Sequence, residues 1–435
     1  MNYISTNKQA SAVDFKEAVI KGLAPDKGLY FPESINVLSS DFIKNLKSKT
    51  KAEIAFEIIR SYVGDCIPEN ELKQICEETV DFDFPLVKIS DDIYSLELFH
   101  GPTLAFKDVG ARFLSRCLGY FSKGTTKKTT VLVATSGDTG SAVANGFLEV
   151  EGVNVVILYP SGKVSKIQEL QLTTLGKNIT AFEVQGDFDD CQRLVKQAFA
   201  DQELNKVLNL TSANSINVAR WLSQQFYYFY ALQQWPHEQA PVISVPSGNL
   251  GNICAGLIAH VSGLPVNHFI AACNSNDVVP EFMNSGKYNP KASVSTISNA
   301  MDIGDPSNFV RLIKLFGNDF EQIKNVITSY SIDDKITLAT ISEVYNKYNY
   351  LLDPHGAVAY RSLQNYLEQH LGQKGFILET AHPVKFNTVV ESAIGKKISV
   401  PDSVKHLFKL KKKSTLISSD YRSLIQQLLH KDVVT

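Results

Sequence analysis

The sequence lacks the marks of several protein classes. Its six cysteines, Cys66, Cys76, Cys117, Cys191, Cys254 and Cys273, are scattered without a CxxC pair, which favours buried reduced thiols over a disulfide frame or a zinc site. Its nine histidines never take HExxH-type spacing, so the residues point to no metal. No stretch of about 18 apolar residues occurs, and the opening MNYISTNKQASAVDF has neither the basic nor the apolar region of a secretory leader. A cytoplasmic protein with no membrane partner is expected. Charge of one sign is not in excess either: 43 Lys and Arg face 45 Asp and Glu, a net charge of -2. That balance excludes the basic footprint of a nucleic-acid partner and leaves a small molecule as the expected ligand.

What is present is a chain of 435 residues, 44% hydrophobic, long enough for two or three domains with a sizeable core. Residues 1–90 read as a mainly helical segment, in which Phe15, Val19 and Ile20 share a face between a starting Asp14 and a stopping Gly22. From there strands and helices alternate. VLVAT (131–135), VNVVILYP (153–160) and ITAFEV (179–184) read as strands, and Asp187 and Asp189 precede a helix with Leu194, Val195 and Phe199 on one face. Such alternation predicts a mostly parallel sheet. The pattern breaks near WPHEQAP (235–241) and resumes, which sets a boundary between 91–235 and 236–435. Residues 275–335 are loop-rich and read as an insertion or lid. The basic LFKLKKKS (407–414) reads as a solvated surface segment.

Three stretches carry chemistry. In FHGPTLAFKDVGARFL (99–114), Val109, Phe113, Leu114, Cys117, Leu118 and Phe121 recur at helical spacing and put Lys107 at the helix's N-terminal edge, where the dipole disfavours a cation. Apolar neighbours Leu104 and Phe106 would favour the neutral amine that attacks carbonyls; a surface charge is the plain alternative. In VISVPSGNLGNICAGL a strand enters the loop Ser247-Gly248-Asn249-Leu250-Gly251-Asn252 and a helix follows, so backbone N–H groups can face a phosphate. The loop fits neither GxGxxG nor GxxxxGK[ST], and an ordinary strand-to-helix turn stays open. ATSGDTGSAVA (134–144) is a second such junction whose amides and hydroxyls suit a carboxylate or a phosphate. Two anion cradles and one amine suggest a ligand with two anionic ends and a carbonyl between them, the layout of pyridoxal phosphate carrying an amino acid.

HGPTLAFKD, ATSGDTG, PSGNLGN and ETAHP, in this order, resemble the threonine synthases, pyridoxal-phosphate enzymes of the tryptophan synthase β-like fold (fold type II). KGLAPDKGLYFPE (21–33), STISNAMDIGDPSNFVR (295–311) and DPHGAVAY (353–360) extend the resemblance over nearly the whole chain. Leu250 and Asn252 stand where many members have Phe and Asp, and Lys27 where many have Gly.

The resemblance implies an α/β protein with two parallel-sheet-based domains, helices on both faces and the N-terminal helical segment. A smaller domain, 91–235, would carry the Schiff-base lysine and the substrate carboxylate loop, and a larger one, 236–435, the phosphate loop. It implies Lys107 as the catalytic lysine joined to the cofactor, Gly248, Asn249, Leu250, Gly251 and Asn252 around the cofactor phosphate, and the Thr380 hydroxyl at the pyridine nitrogen. Neighbouring Glu379 would face the other way by strand alternation. Ser136, Asp138 and Thr139 would take the substrate carboxylate, though Asp138 could also cap its helix.

The implied activity is that of a carbon–oxygen lyase acting on phosphates: O-phospho-L-homoserine and water become L-threonine and phosphate by γ-elimination and β-hydration, the last step of threonine biosynthesis. A related phospho-lyase or dehydratase releasing 2-oxobutyrate is the alternative. Lys163, Lys166, Arg112 and Arg220 are candidate cations for the leaving phosphate. His355 and His382 read as structural histidines, and Asp302, Ser307, Asn308 and Arg311 as either pocket-shaping or ordinary loop residues.

Overall fold

The computed structural model describes residues 1–125 and 127–429. Its strands among these residues are, in chain order, β1 (Tyr3–Ser5), β2 (Tyr30–Pro32), β3 (Leu86–Lys88), β4 (Ile93–Glu97), β5 (Thr129–Ala134), β6 (Val153–Pro160), β7 (Ile179–Gln185), β8 (Asn209–Thr211), β9 (Val242–Pro246), β10 (His268–Cys273), β11 (Ile327–Ser331), β12 (Gly375–Glu379) and β13 (Thr415–Ser418). Apolar runs such as VISVP in β9 and HFIAAC in β10 are buried at every residue, as strands covered by helices on both faces must be.

A larger sheet has the order β11-β10-β9-β12-β4-β3, a smaller one β13-β7-β6-β5-β8, and β1 pairs with β2 alone. Every neighbouring pair in the two larger sheets is parallel except β3 with β4. The larger sheet takes in β3 from within 1–90, and two further strands cross the limit read from the break in the strand–helix pattern. β4 lies within 91–235 yet pairs with β12 of the larger sheet, and β13 lies within 236–435 yet pairs with β7 of the smaller one. Both pairings join residues far apart in the chain, which local pattern cannot register.

Local signals translate directly. Asp14 accepts the Glu17 N–H and opens the helix Phe15–Lys21, and Gly22 closes it at φ 66°, a left-handed turn that glycine adopts without strain. Asp187 opens the helix Phe188–Ala200 in a reciprocal capping box with Asp190. The region 275–335 is a crossover and not a lid: it holds the helices Val278–Ser285, Phe309–Leu315 and Phe320–Val326 and leads into β11, an integral strand of the larger sheet. In the basic segment, Lys412 reaches back to Glu169 at 2.6 Å and Glu183 at 2.5 Å. No helix among the described residues is long and apolar enough to cross a membrane, and no group of three or more potential metal ligands occurs among them.

Candidate active site

Lys107 is the first residue of the helix Lys107–Ser122, whose Val109, Phe113, Leu114, Cys117, Leu118 and Phe121 are all buried. The backbone before it is fixed on both sides. Phe106 donates its N–H to the Thr380 carbonyl at 2.9 Å, Ala105 bridges Ala381, and the Tyr227 hydroxyl donates to the Phe106 carbonyl. The part-buried Lys107 amine makes no hydrogen bond among the described residues and sits 5.6 Å from the Phe106 ring centroid. Burial pulls its ammonium below the ordinary lysine range; Arg220 and Lys385 add to this, while Asp138 and Asp353 oppose it.

β9 and β12 run parallel, with Ile377 beside Ser244, so the loop leaving β9 and the residue leaving β12 emerge at the same edge. The β9 loop feeds the helix Gly251–Val261 through Leu250, held left-handed at φ 61° with its side chain buried. A non-glycine residue there costs about 1 to 2 kcal/mol. The result is a run of five consecutive N–H groups, from Gly248 to Asn252, with no acceptor among the described residues. Side chains brace the loop from outside: Asn249 donates to Ser215 Oγ at 2.8 Å and accepts from Ser307 N at 2.6 Å, Asn308 donates to the Asn249 carbonyl at 2.8 Å, and Asn252 donates to the Pro246 carbonyl at 2.7 Å. An anion is what such a run of aligned amides can take.

The loop after β5 is tied by Thr135, whose Oγ1 accepts from Gly137 N at 2.9 Å and Gly140 N at 2.8 Å. The N–H groups of Ser136, Asp138 and Thr139 are left with no acceptor among the described residues. The Asp138 carboxylate already has partners of its own. Its Oδ1 lies 2.8 Å from Lys385 Nζ and accepts from Gln168 Nε2 at 2.8 Å. Burial alone would raise this carboxyl, but Lys385 and Lys107 outweigh it and hold it well below the usual carboxylate range. At Asp138 the carboxylate is therefore engaged and the backbone N–H is the group left open among the described residues. Fully buried Lys385, which also donates to the Thr103 carbonyl at 2.7 Å, escaped the sequence analysis. The only signal was a lysine inside the apolar HPVKF run.

Thr380 is buried and its hydroxyl makes no hydrogen bond among the described residues. Glu379 points the other way: its Oε1 accepts from Asp353 N at 2.6 Å, and a methyl group on Gly356 would lie 1.5 Å from its Oε2. Burial, reinforced by Asp353, raises the Glu379 carboxyl well above its ordinary value. His355 is satisfied at both nitrogens, by Asp353 Oδ2 at 2.7 Å and Ala300 N at 3.3 Å. His382 Nδ1 accepts from Val384 N at 3.1 Å, and burial pulls its ring down to about 4.

Asp302 accepts from Thr296 and Asn274. Arg311 donates to the carbonyls of Ser215, Ile216 and Tyr30 and to Asn308 Oδ1. Arg311 braces the β9 loop through Asn308, whereas Asp302 ties the residue that follows β10 to Thr296. Among the candidate cations, Arg112 is paired in fork geometry with Asp81, Lys166 contacts Glu169, and Lys163 and Lys166 are exposed. Arg220 is buried, donates to the Ala213 carbonyl at 2.5 Å and is among the charges that act most on Lys107.

The arrangement therefore offers open amides that suit a phosphate ester after β9, open amides that suit an acid after β5, and an amine that can take a carbonyl. Family comparison agrees. The family described as pyridoxal-phosphate dependent enzyme matches residues 85–378, and those described as threonine synthase N terminus and threonine synthase C-terminal match 2–80 and 356–428. A threonine synthase of Serratia marcescens is 44% identical over 394 residues, 90% of each chain. One of Escherichia coli (strain K12) is 42% identical over 420 residues, 96% of this chain and 97% of the relative. The crystal structure of threonine synthase from Escherichia coli superposes with a TM-score of 0.92 at 41% identity, covering 99% of both chains. That of pyridoxal-phosphate-bound threonine synthase from Brucella melitensis gives 0.93 at 33%, covering 100% of both.

The cofactor is a phosphate ester with a ring aldehyde and a pyridine nitrogen. The five open amides, the unbonded amine of Lys107 and the unbonded hydroxyl of Thr380 fit those three groups. With site chemistry, sequence and superposition in agreement, the chain belongs to the pyridoxal-phosphate-dependent threonine synthases.

Proposed function

We propose that the chain converts O-phospho-L-homoserine and water into L-threonine and inorganic phosphate. The observation that carries the reading is the placement of a hydrogen-bond-free amine, Lys107, among two separate sets of open amides, one after β5 and one after β9. Bound pyridoxal phosphate supplies the electron sink that acidifies carbon next to the substrate nitrogen. The protein's share is positioning and proton handling. Gly248 to Asn252 hold the cofactor phosphate through backbone N–H groups, and Ser136, Asp138 and Thr139 hold the substrate carboxylate in the same way. Lys107 would take a proton from the substrate at Nζ and return it, and its lowered affinity for a proton favours the neutral amine that a base must be. The Thr380 hydroxyl would hold the ring nitrogen of the bound cofactor, and Glu379, engaged by Asp353 N, is kept from that role.

The test is incubation of the purified protein with pyridoxal phosphate and O-phospho-L-homoserine, with threonine, phosphate and 2-oxobutyrate all quantified. Equimolar threonine and phosphate are expected. Phosphate with 2-oxobutyrate in place of threonine would move the chain to a phospho-lyase that never adds water.

Thr380→Val separates a working hydroxyl from a packing one. The valine keeps the branched shape, and the hydroxyl it removes has no partner in the protein, so the melting temperature should stay within about 2 °C. The expected drop in kcat/KM is about 10-fold to 100-fold, matching the loss of one hydrogen bond of roughly 1.5 to 3 kcal/mol to a polarised ring. An unchanged rate would make Thr380 an ordinary packing residue.

A further inference from the structure

One buried ammonium joins three separate parts of the site. Lys385, five residues beyond Thr380, lies 2.8 Å from Asp138 in the loop after β5 and donates at 2.7 Å to the carbonyl of Thr103 in the loop before Lys107. Each partner is tied onward. Gln168 donates to the same Asp138 oxygen at 2.8 Å, and Gln171 donates to the same Thr103 carbonyl at 3.0 Å. Thr103 in turn donates to Asp108, next to Lys107, through its N–H at 2.9 Å and its hydroxyl at 2.5 Å. Lys385 thus connects the smaller sheet's loop to the lysine loop and to the segment leaving β12.

We propose that Lys385 is a positioning residue: it pins the Ser136–Gly140 loop against the Lys107 loop and neutralises the Asp138 carboxylate that would otherwise act on Lys107. A buried ion pair is not in itself a stability device, since a well-packed apolar pair commonly serves as well. Here the pair stands beside a reactive nitrogen. The charges that act on Lys107 are Asp138 and Asp353, which favour its proton, and Arg220 and Lys385, which oppose it. Asp108 is its neighbour in the chain, and among histidines His382 feels Lys385. Removing Lys385 leaves Asp138 as an uncompensated anion that draws a proton to Lys107. Removing Asp138 alone does the reverse.

The proposal rests on the threonine-forming reading only for the choice of substrate. The deciding measurement needs none: it is the pH midpoint at which the visible absorbance of the Lys107-bound cofactor changes in the loaded, full-length protein. Lys385→Met should raise that midpoint by about one pH unit, a tenfold change in proton affinity, and Lys385→Arg should leave it near the parent value. Asp138→Asn should lower it by about one pH unit, and the double variant Asp138→Asn/Lys385→Met should return it to the parent value. With O-phospho-L-homoserine, Lys385→Met should also raise KM about tenfold, because the carboxylate loop is no longer pinned.

An unmoved midpoint in Lys385→Met, or an equal rise in Lys385→Arg, overturns the proposal. If Lys385→Met fails to load cofactor, Asp138→Asn and the double variant decide: an unchanged midpoint in Asp138→Asn overturns it. Failure of the parent to form threonine would instead remove the functional reading and leave the titration result standing.

Discussion

Lys107→Ala should yield a folded protein with no visible absorbance from lysine-bound cofactor and with turnover reduced by at least about 10³-fold, since one residue supplies both the covalent anchor and the base. The structure explains why the fold should survive. Among the described residues the amine makes no hydrogen bond and its one ring contact is Phe106 at 5.6 Å, worth about 0.5 to 1 kcal/mol. Alanine is the best helix former, and removing a cation from a helix start returns roughly 0.3 to 1 kcal/mol. Asp138 keeps Lys385 as its partner. Circular dichroism melting, a visible spectrum and a threonine assay together check the result. A retained band with retained turnover would mean that the reactive amine lies elsewhere.

Gly248→Ala should weaken cofactor binding by about 10² to 10³-fold. An added Cβ would stand 2.7 Å from Met301 Cα and 3.2 Å from the Ala300 carbonyl oxygen, and neither can swing aside as a side chain tip could. Ala300 is held through its N–H by His355, and Met301 N by the Ser298 carbonyl. The β9 loop must therefore turn. Two charge-assisted hydrogen bonds put out of line cost roughly 3 to 4 kcal/mol together. Gly251 is less demanding, because a Cβ there would meet only the side chains of Ser215 and Asn308, at 3.3 and 3.5 Å; Gly251→Ala should bind cofactor more tightly than Gly248→Ala. The measurement is a titration of apoprotein with pyridoxal phosphate, and excess cofactor should partly restore activity to Gly248→Ala. Parental affinity in Gly248→Ala would place the phosphate away from this loop.

Much of this arrangement is legible in the sequence because its signals are local. Asp14, Gly22 and Asp187 announce helix ends by chemistry that acts within four residues. The glycine-rich junctions announce open amides because a strand followed by a helix start leaves N–H groups without partners. The alternation that turns Glu379 away from Thr380 needs only the two-residue period of a strand. What stayed hidden depends on residues distant in the chain. Lys385 looks like a stray charge in HPVKF until Asp138 and Thr103 are brought to it. The four basic residues noted for the leaving phosphate could not be ranked until Asp81 and Glu169 were seen to engage two of them. β4 and β13 each join the sheet of the other segment, because a break in the strand–helix pattern reports chain order while strand pairing joins residues far apart.

The pairing of β4 with β12 also sets a timetable. β4 leaves the ribosome about 280 residues before the strand it must lie against, which at roughly 5 to 20 residues per second is an interval of about 15 to 60 s. Through that time Ile93, Tyr94 and Leu96, all buried in the finished protein, have only β3 as a strand neighbour. β5 to β8, by contrast, follow one another within about 80 residues and can associate as soon as they emerge. The β5 to β8 part of the smaller sheet is thus free to form early, with β13 added last beside β7, while the larger sheet waits with an uncovered apolar edge. Lys107 and Thr380 meet only when that edge is closed, so a nascent chain shielded by a holding chaperone would gain its lysine environment among the last events of folding.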